Sequence, residues 1–101
     1  VRFNAHAPSV VAERRLERMA QTLGLGNPAN AADAAEAIAH ALIALNQRLG
    51  LPNGLAAMGV TPAQFDAVIT GALADHCHKT NPRLASPEDY RQMLQDSLEL
   101  A

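Results

Sequence analysis

The stretch between Asn30 and Gly50 constrains the fold most. It is rich in alanine, and its larger apolar residues Ile38, Leu42, Leu45 and Leu49 step by four, three and four, the spacing of one stripe on an amphipathic helix. Asn30 supplies an N-cap, Asp33 complements the exposed amides of the first turn, and Gly50 ends the run. A chain committed to a helix of this length has to pack other helices against it, and the composition agrees. Apolar residues make up 49 % of the 101 positions but aromatics only 3 %, and with Ala and Leu dominant over Val and Ile, strand formers are scarce. The expected class is all-α, a bundle of about four main helices in a single helical domain over residues 1–101. His40, on the alanine-rich part, is expected at the surface or its boundary.

The other elements follow from local signals. A first helix is expected from Ser9, as N-cap after Pro8, to about Leu23, with Gly24 as its stop. Leu16, Met19, Ala20 and Leu23 form its apolar side. Glu13, Arg14, Arg15, Glu17 and Arg18 form a solvated face on which each Glu pairs with an Arg one turn away. Leu51-Pro52-Asn53-Gly54 is a turn, followed by a short helical turn over residues 55–58. Thr61, Pro62 and Gln64 make a capping box with proline at the first helical position. That box opens a helix whose buried stripe is Phe65, Val68, Ile69, Ala72 and Leu73, and which frays at about Asp75 or His76. Ser86, Pro87 and Asp89 open a last helix with Tyr90, Met93 or Leu94, and Leu98 on its apolar side.

Several function classes are excluded. Eight Lys plus Arg against ten Asp plus Glu give a net charge of −2, so no basic field attracts nucleic acid or an anionic membrane. Neither helix flanking a turn is basic enough for a DNA-reading helix. No window approaches the ~20 apolar residues of a membrane span. One cysteine makes no internal disulfide, and no signal-peptide pattern opens the chain, which fits a cytoplasmic, reducing compartment. The opening Val1-Arg2-Phe3-Asn4, without an initiator Met, reads as the middle of a longer protein.

The chemistry-bearing side chains gather in one interhelical loop, Asp75-His76-Cys77-His78-Lys79-Thr80-Asn81-Pro82-Arg83, and loops on a rigid scaffold carry function disproportionately. Asp75, His76, Cys77 and His78 offer ligand types that zinc and other transition metals accept. Their spacing argues against a closed site: adjacent side chains on an extended segment point to opposite sides, and structural zinc wants four ligands from two separated clusters. Cysteine–histidine nucleophilic catalysis needs a base set against the thiol and a third group orienting it. Sequence adjacency by itself provides neither.

Thr80-Asn81-Pro82-Arg83, a short spacer and the capped Ser86-Pro87-Glu88-Asp89-Tyr90 resemble the C-terminal end of iron-containing (group III) alcohol dehydrogenases. Val1-Arg2-Phe3-Asn4 is similar to the strip that follows the last metal-binding histidine in that family. Leu45 to Pro52, Met58-Gly59-Val60 and Ala72-Leu73-Ala74-Asp75 follow in family order, so the resemblance covers essentially the whole chain. It implies a larger parent enzyme, with an N-terminal domain binding NAD or NADP and a helical C-terminal domain carrying a divalent metal, iron or zinc. In the family one Asp and three His hold that metal, and hydride passes between an alcohol or aldehyde substrate and the nicotinamide. None of those ligands can be placed in this chain, nor can a glycine-rich phosphate-binding region. No catalytic, cofactor-binding or metal-binding residue is therefore assigned. The piece alone is expected to be inactive and to form a wall of the active-site cleft, its partners being the N-terminal nucleotide-binding domain and the small substrate. Cys77 is implied to face the substrate channel without ligating the metal, flanked by His76 and His78. A helical domain that normally packs on a nucleotide-binding domain is also expected to leave an apolar patch uncovered, involving Leu51 to Met58, through which it self-associates as a homo-oligomer. The alternative is a stand-alone four-helix interaction module without catalysis, supported only by composition and size.

Overall fold

The computed structural model describes residues 1–100; Ala101, the last residue of the expected domain, lies outside them. Among the described residues there are helices and turns but no strands, in the order of a 3-10 helix Arg2–His6, α1 Pro8–Ala12, α2 Arg15–Thr22, α3 Ala31–Arg48, short 3-10 turns at Ala56–Met58 and Pro62–Gln64, α4 Phe65–Ala74, a 3-10 helix His76–Thr80, and α5 Pro87–Asp96. The all-α class stands, with α2, α3, α4 and α5 as the main helices. The chain forms two compact units, Val1–Leu45 and the residues from Asn46 onward.

In the first unit small side chains make the core. Ala5, Ala7, Val10, Leu16, Ala20, Ala31, Ala34, Ala35 and Ile38 are buried together, with Leu25 packed against them. Alanine on facing elements lets backbones approach closely, which explains how a chain with so few aromatics fills a core. Asn30 caps α3 as expected: its Oδ1 accepts from Asp33 N–H at 2.9 Å, and its Nδ2 donates to Asp33 Oδ2 at 2.9 Å. Arg2 clamps Glu36 of α3 with two bonds of 2.8 and 3.0 Å, and His40 is exposed beside Glu36 as expected for a surface histidine.

The first helix departs from expectation. It starts at Pro8 with Ala7 as N-cap and no side-chain cap, because proline's fixed φ suits the first helical position, so Ser9 lies inside the helix. Arg14 then takes left-handed angles, φ 52° and ψ 40°, and splits the expected helix into α1 and α2. No residue of the left-handed-tolerant kind marks that break. It turns the charged face inward at one point: Glu17 is 8 % exposed, inside the core side of α2, with Oε2 buried and unpartnered. Glu13 pairs with Arg15 at 2.7 Å, two residues away rather than one turn. Met19 and Leu23, expected on the apolar side, are exposed. Gly24 ends α2 as expected: with φ +74° it lets Leu25 N–H reach back to Ala20 O at 2.9 Å, a left-handed helix stop that favours glycine.

The α3 stripe is only partly buried. Ile38 is in the core, whereas Leu42 is 47 % exposed and Leu45 39 %. The helix buries its alanine face instead.

The second unit is held by α4 against α5 and by the return of the chain end onto residues 53–56. Leu55 N–H and Ala56 N–H donate to the carbonyls of Ser97 and Leu98 at 2.8 and 3.0 Å, and Asn53 Nδ2 donates to Leu100 O at 3.0 Å. Gly54, φ +95°, lies against this segment so closely that a Cβ would sit 2.4 Å from Leu98 O. Phe65, Ile69 and Ala85 are buried, while Val68, expected in the α4 stripe, is exposed. Both later capping boxes form: Thr61 N–H bonds Gln64 Oε1 at 2.8 Å, and Ser86 N–H bonds Asp89 Oδ2 at 2.9 Å while Ser86 Oγ accepts from Asp89 N–H at 3.1 Å. Arg91 of α5 bonds Asp66 of α4.

Candidate functional site

The loop from Asp75 to Arg83 is built by its own polar side chains. Helix α4 stops at Ala74, and Asp75, in extended conformation, caps the 3-10 helix His76–Thr80 by accepting Cys77 N–H on Oδ1 at 2.8 Å. Thr80 Oγ1 donates to Cys77 O at 2.9 Å. Asn81, with ψ 141° as the residue before Pro82 requires, donates through Nδ2 to Arg83 O at 2.6 Å. Arg83 reaches toward Asp89 at 3.9 Å, so the far end of the loop is tied to the cap of α5.

The two histidines differ. His76 is 93 % exposed in its side chain, its Nδ1 3.8 Å from Asp75 Oδ1 and its Nε2 3.6 Å from Cys77 Sγ. His78 turns the other way: its Nδ1 lies 2.7 Å from the Tyr90 hydroxyl in a half-buried pair, with the rings tilted at 46° and 5.5 Å apart. His76 and Cys77 thus come together, and His78 is tied to α5.

The expectation that adjacent side chains here diverge holds for Cys77 and His78 but not for His76 and Cys77, because the segment is a 3-10 turn and not extended. Carboxylate, imidazole and thiol stand in a row. Cys77 is exposed, and the Asp75 carboxylate, by hydrogen bonding and by charge, raises its thiol above the ordinary range; a negative neighbour disfavours the thiolate. Proximity to His76 therefore does not by itself activate the sulfur. Tyr90 is the member that sequence reasoning missed. It stands in the first turn of α5, and its ring was assigned to the apolar side of that helix. The available signal was its phenol, which needs a hydrogen-bond partner when half-buried.

A metal held by one Asp and three His finds no such set here: among the described residues the only group of three or more His, Cys, Asp or Glu donors placed to share an ion is Asp75, His76 and Cys77. Among the described residues no helix is long and apolar enough to cross a membrane.

Comparison with known proteins places the chain in a family. The profile of the Fe-containing alcohol dehydrogenase family, C-terminal, matches residues 1–98. The chain is 50 % identical over 98 residues to a 4-hydroxybutyrate dehydrogenase of Cupriavidus necator, covering 97 % of this chain and 24 % of that protein. It is 32 % identical over 77 residues to an NAD-dependent methanol dehydrogenase of Bacillus methanolicus, covering 73 % of this chain and 20 % of that one. It is 36 % identical over 104 aligned positions to a 1-propanol dehydrogenase of Salmonella typhimurium, covering 97 % of this chain and 27 % of that one. The chain spans about a quarter of the length of these relatives. No solved structure matches it.

Proposed function

Because the chain belongs to the Fe-containing alcohol dehydrogenase family, matched by its C-terminal part, we propose that these helices are the C-terminal portion of a longer, metal-dependent, NAD(P)-linked dehydrogenase and form one wall of its active-site cleft. The observation that carries this reading is the 50 % identity to a 4-hydroxybutyrate dehydrogenase along nearly the whole chain. The reaction is oxidation of a primary alcohol to the aldehyde, or its reverse, since 4-hydroxybutyrate, methanol and 1-propanol are all primary alcohols. The divalent metal, iron or zinc, and the nicotinamide are held by the rest of the protein, where the metal supplies Lewis-acid chemistry. This chain's share is steric and electrostatic: it excludes water from the cleft and presents Cys77, with His76 beside it, to the substrate channel, while His78 holds the loop to Tyr90 of α5.

Apolar surface supports the missing partner. In the first unit Leu42 and Leu45 are exposed on α3; in the second, Leu49 is 63 % exposed and Leu51 and Met58 are exposed as well. Leu42 and Leu45 of the first unit, three residues apart on α3, are a surface made to be covered, and the N-terminal nucleotide-binding domain is the occupant we assign, with a second copy of the chain as the competing outcome. The compartment assigned is the cytoplasm, on the single free cysteine. The test is Cys77→Ser and the bulkier Cys77→Phe in the intact enzyme. In enzyme reloaded with one equivalent of iron(II) per chain, the amount that the ligands outside this chain hold, the Michaelis constant or the preference among primary alcohols changes while the iron content stays the same. Unchanged kinetics in both variants would remove Cys77 from the channel.

A further inference from the structure

We propose that Asp75, His76 and Cys77 form a three-donor site for a borderline-soft divalent cation of the zinc class, carried wholly by this loop. One ligand atom from each residue lies within 4.8 Å of the other two. The separation of Cys77 Sγ from His76 Nε2 is 3.6 Å, and a tetrahedral ion with Zn–S of about 2.3 Å and Zn–N of about 2.0–2.1 Å spans an edge of about 3.5 Å. Sulfur and nitrogen therefore already stand at the spacing one ion requires. Thiolate, imidazole and carboxylate together are a donor set that selects zinc or cobalt over magnesium or calcium.

The turn provides the placement. Asp75 caps the 3-10 helix through Cys77 N–H at 2.8 Å, which fixes the carboxylate beside the two residues that follow, and His78, held at Tyr90 2.7 Å away, leaves the fourth position to water. All three donors are exposed, so an ion reaches them without rearrangement of the core. On binding, the Cys77 S–H bond breaks, its proton passes to buffer, and the sulfur lone pair forms the metal–sulfur bond. No electron is transferred. The inference does not depend on the dehydrogenase reading, because it uses only residues of this chain.

Cobalt(II) is the probe, since a thiolate ligand gives it a ligand-to-metal charge-transfer band in the near ultraviolet that imidazole and carboxylate do not. Titration of the protein gives that band at one cobalt per chain, and zinc bleaches it. Cys77→Ser abolishes the band, while His76→Ala and Asp75→Ala each weaken binding by on the order of 10-fold or more. Cys77→Ser and His76→Ala keep the wild-type far-ultraviolet circular dichroism, since both side chains are exposed and neither caps the turn, which Asp75 does. Absence of the band at millimolar cobalt, its persistence in Cys77→Ser, or wild-type affinity in His76→Ala would each overturn the site, the last by reducing it to a lone thiol.

Discussion

His78 Nδ1 and the Tyr90 hydroxyl, twelve residues apart, stand 2.7 Å from each other in a half-buried pair. That bond pins the 3-10 helix His76–Thr80 to the first turn of α5. Tyr90→Phe keeps the ring packing and removes only the hydroxyl, leaving a half-buried imidazole nitrogen without its partner. The expected cost is about 1 kcal/mol, read as a lower denaturant midpoint, with faster amide exchange confined to residues 76–80. An unchanged midpoint and exchange pattern would mean that the loop is held by its own turns alone.

Gly54 is the position least able to accept a side chain. Its φ is +95° and a Cβ would meet Leu98 O at 2.4 Å and Leu98 C at 2.9 Å, both backbone atoms that move only if the returning chain end is displaced. Gly54→Ala therefore costs about 2 kcal/mol or more. Gly24→Ala has open space around its Cβ and carries only the left-handed backbone strain, about 1 kcal/mol. Equal midpoints for the two variants would contradict the close approach of residues 54 and 98.

Glu17 is a polar group in an apolar place. With Oε2 buried and unpartnered, it lowers the stability of this chain, and Glu17→Met, of similar volume, raises it by about 1 kcal/mol or more. A lower denaturant midpoint for Glu17→Met would show that the carboxylate is satisfied in solution.

Cys77 reacts with a thiol reagent in the native state, because it is exposed. Asp75 raises its thiol, so the labelling rate keeps climbing as pH increases beyond the ordinary thiol range, where an unperturbed thiol has levelled off. The sign for Asp75→Asn follows: removal of the negative charge lowers the thiol's ionisation point and speeds labelling severalfold at neutral pH. Slower labelling in that variant would contradict the electrostatic account.

What could be read from the sequence is what the chain settles locally. Asn30 with Asp33, Thr61 with Gln64 and Ser86 with Asp89 are contacts three residues apart, and each forms as the capping rules require. The end of α4 at Ala74 and the gathering of Asp75, His76 and Cys77 in one loop were legible for the same reason. Partners distant along the chain were not. Leu42 and Leu45 carry a perfect helical stripe yet stay exposed, because periodicity marks a face as apolar without saying what covers it. Arg14 breaks the first helix without a glycine or asparagine to announce it, and that break carries Glu17 inward. Whether His76 faces Cys77 or opposes it depends on 3-10 against extended geometry, which Asp75 decides through a single bond to Cys77 N–H.

The central claim is that this chain is a wall of a dehydrogenase and not a module complete in itself. Alcohol-dependent reduction of NAD and NADP, followed side by side for the intact protein and for the 101-residue chain with iron(II) or zinc added, tests it most directly. The account predicts turnover of a primary alcohol by the intact protein and none by the chain alone, since hydride transfer needs the cofactor cleft and the metal ligands together. Turnover by the purified chain, or an intact protein inert toward primary alcohols with every metal and both cofactors, would contradict it.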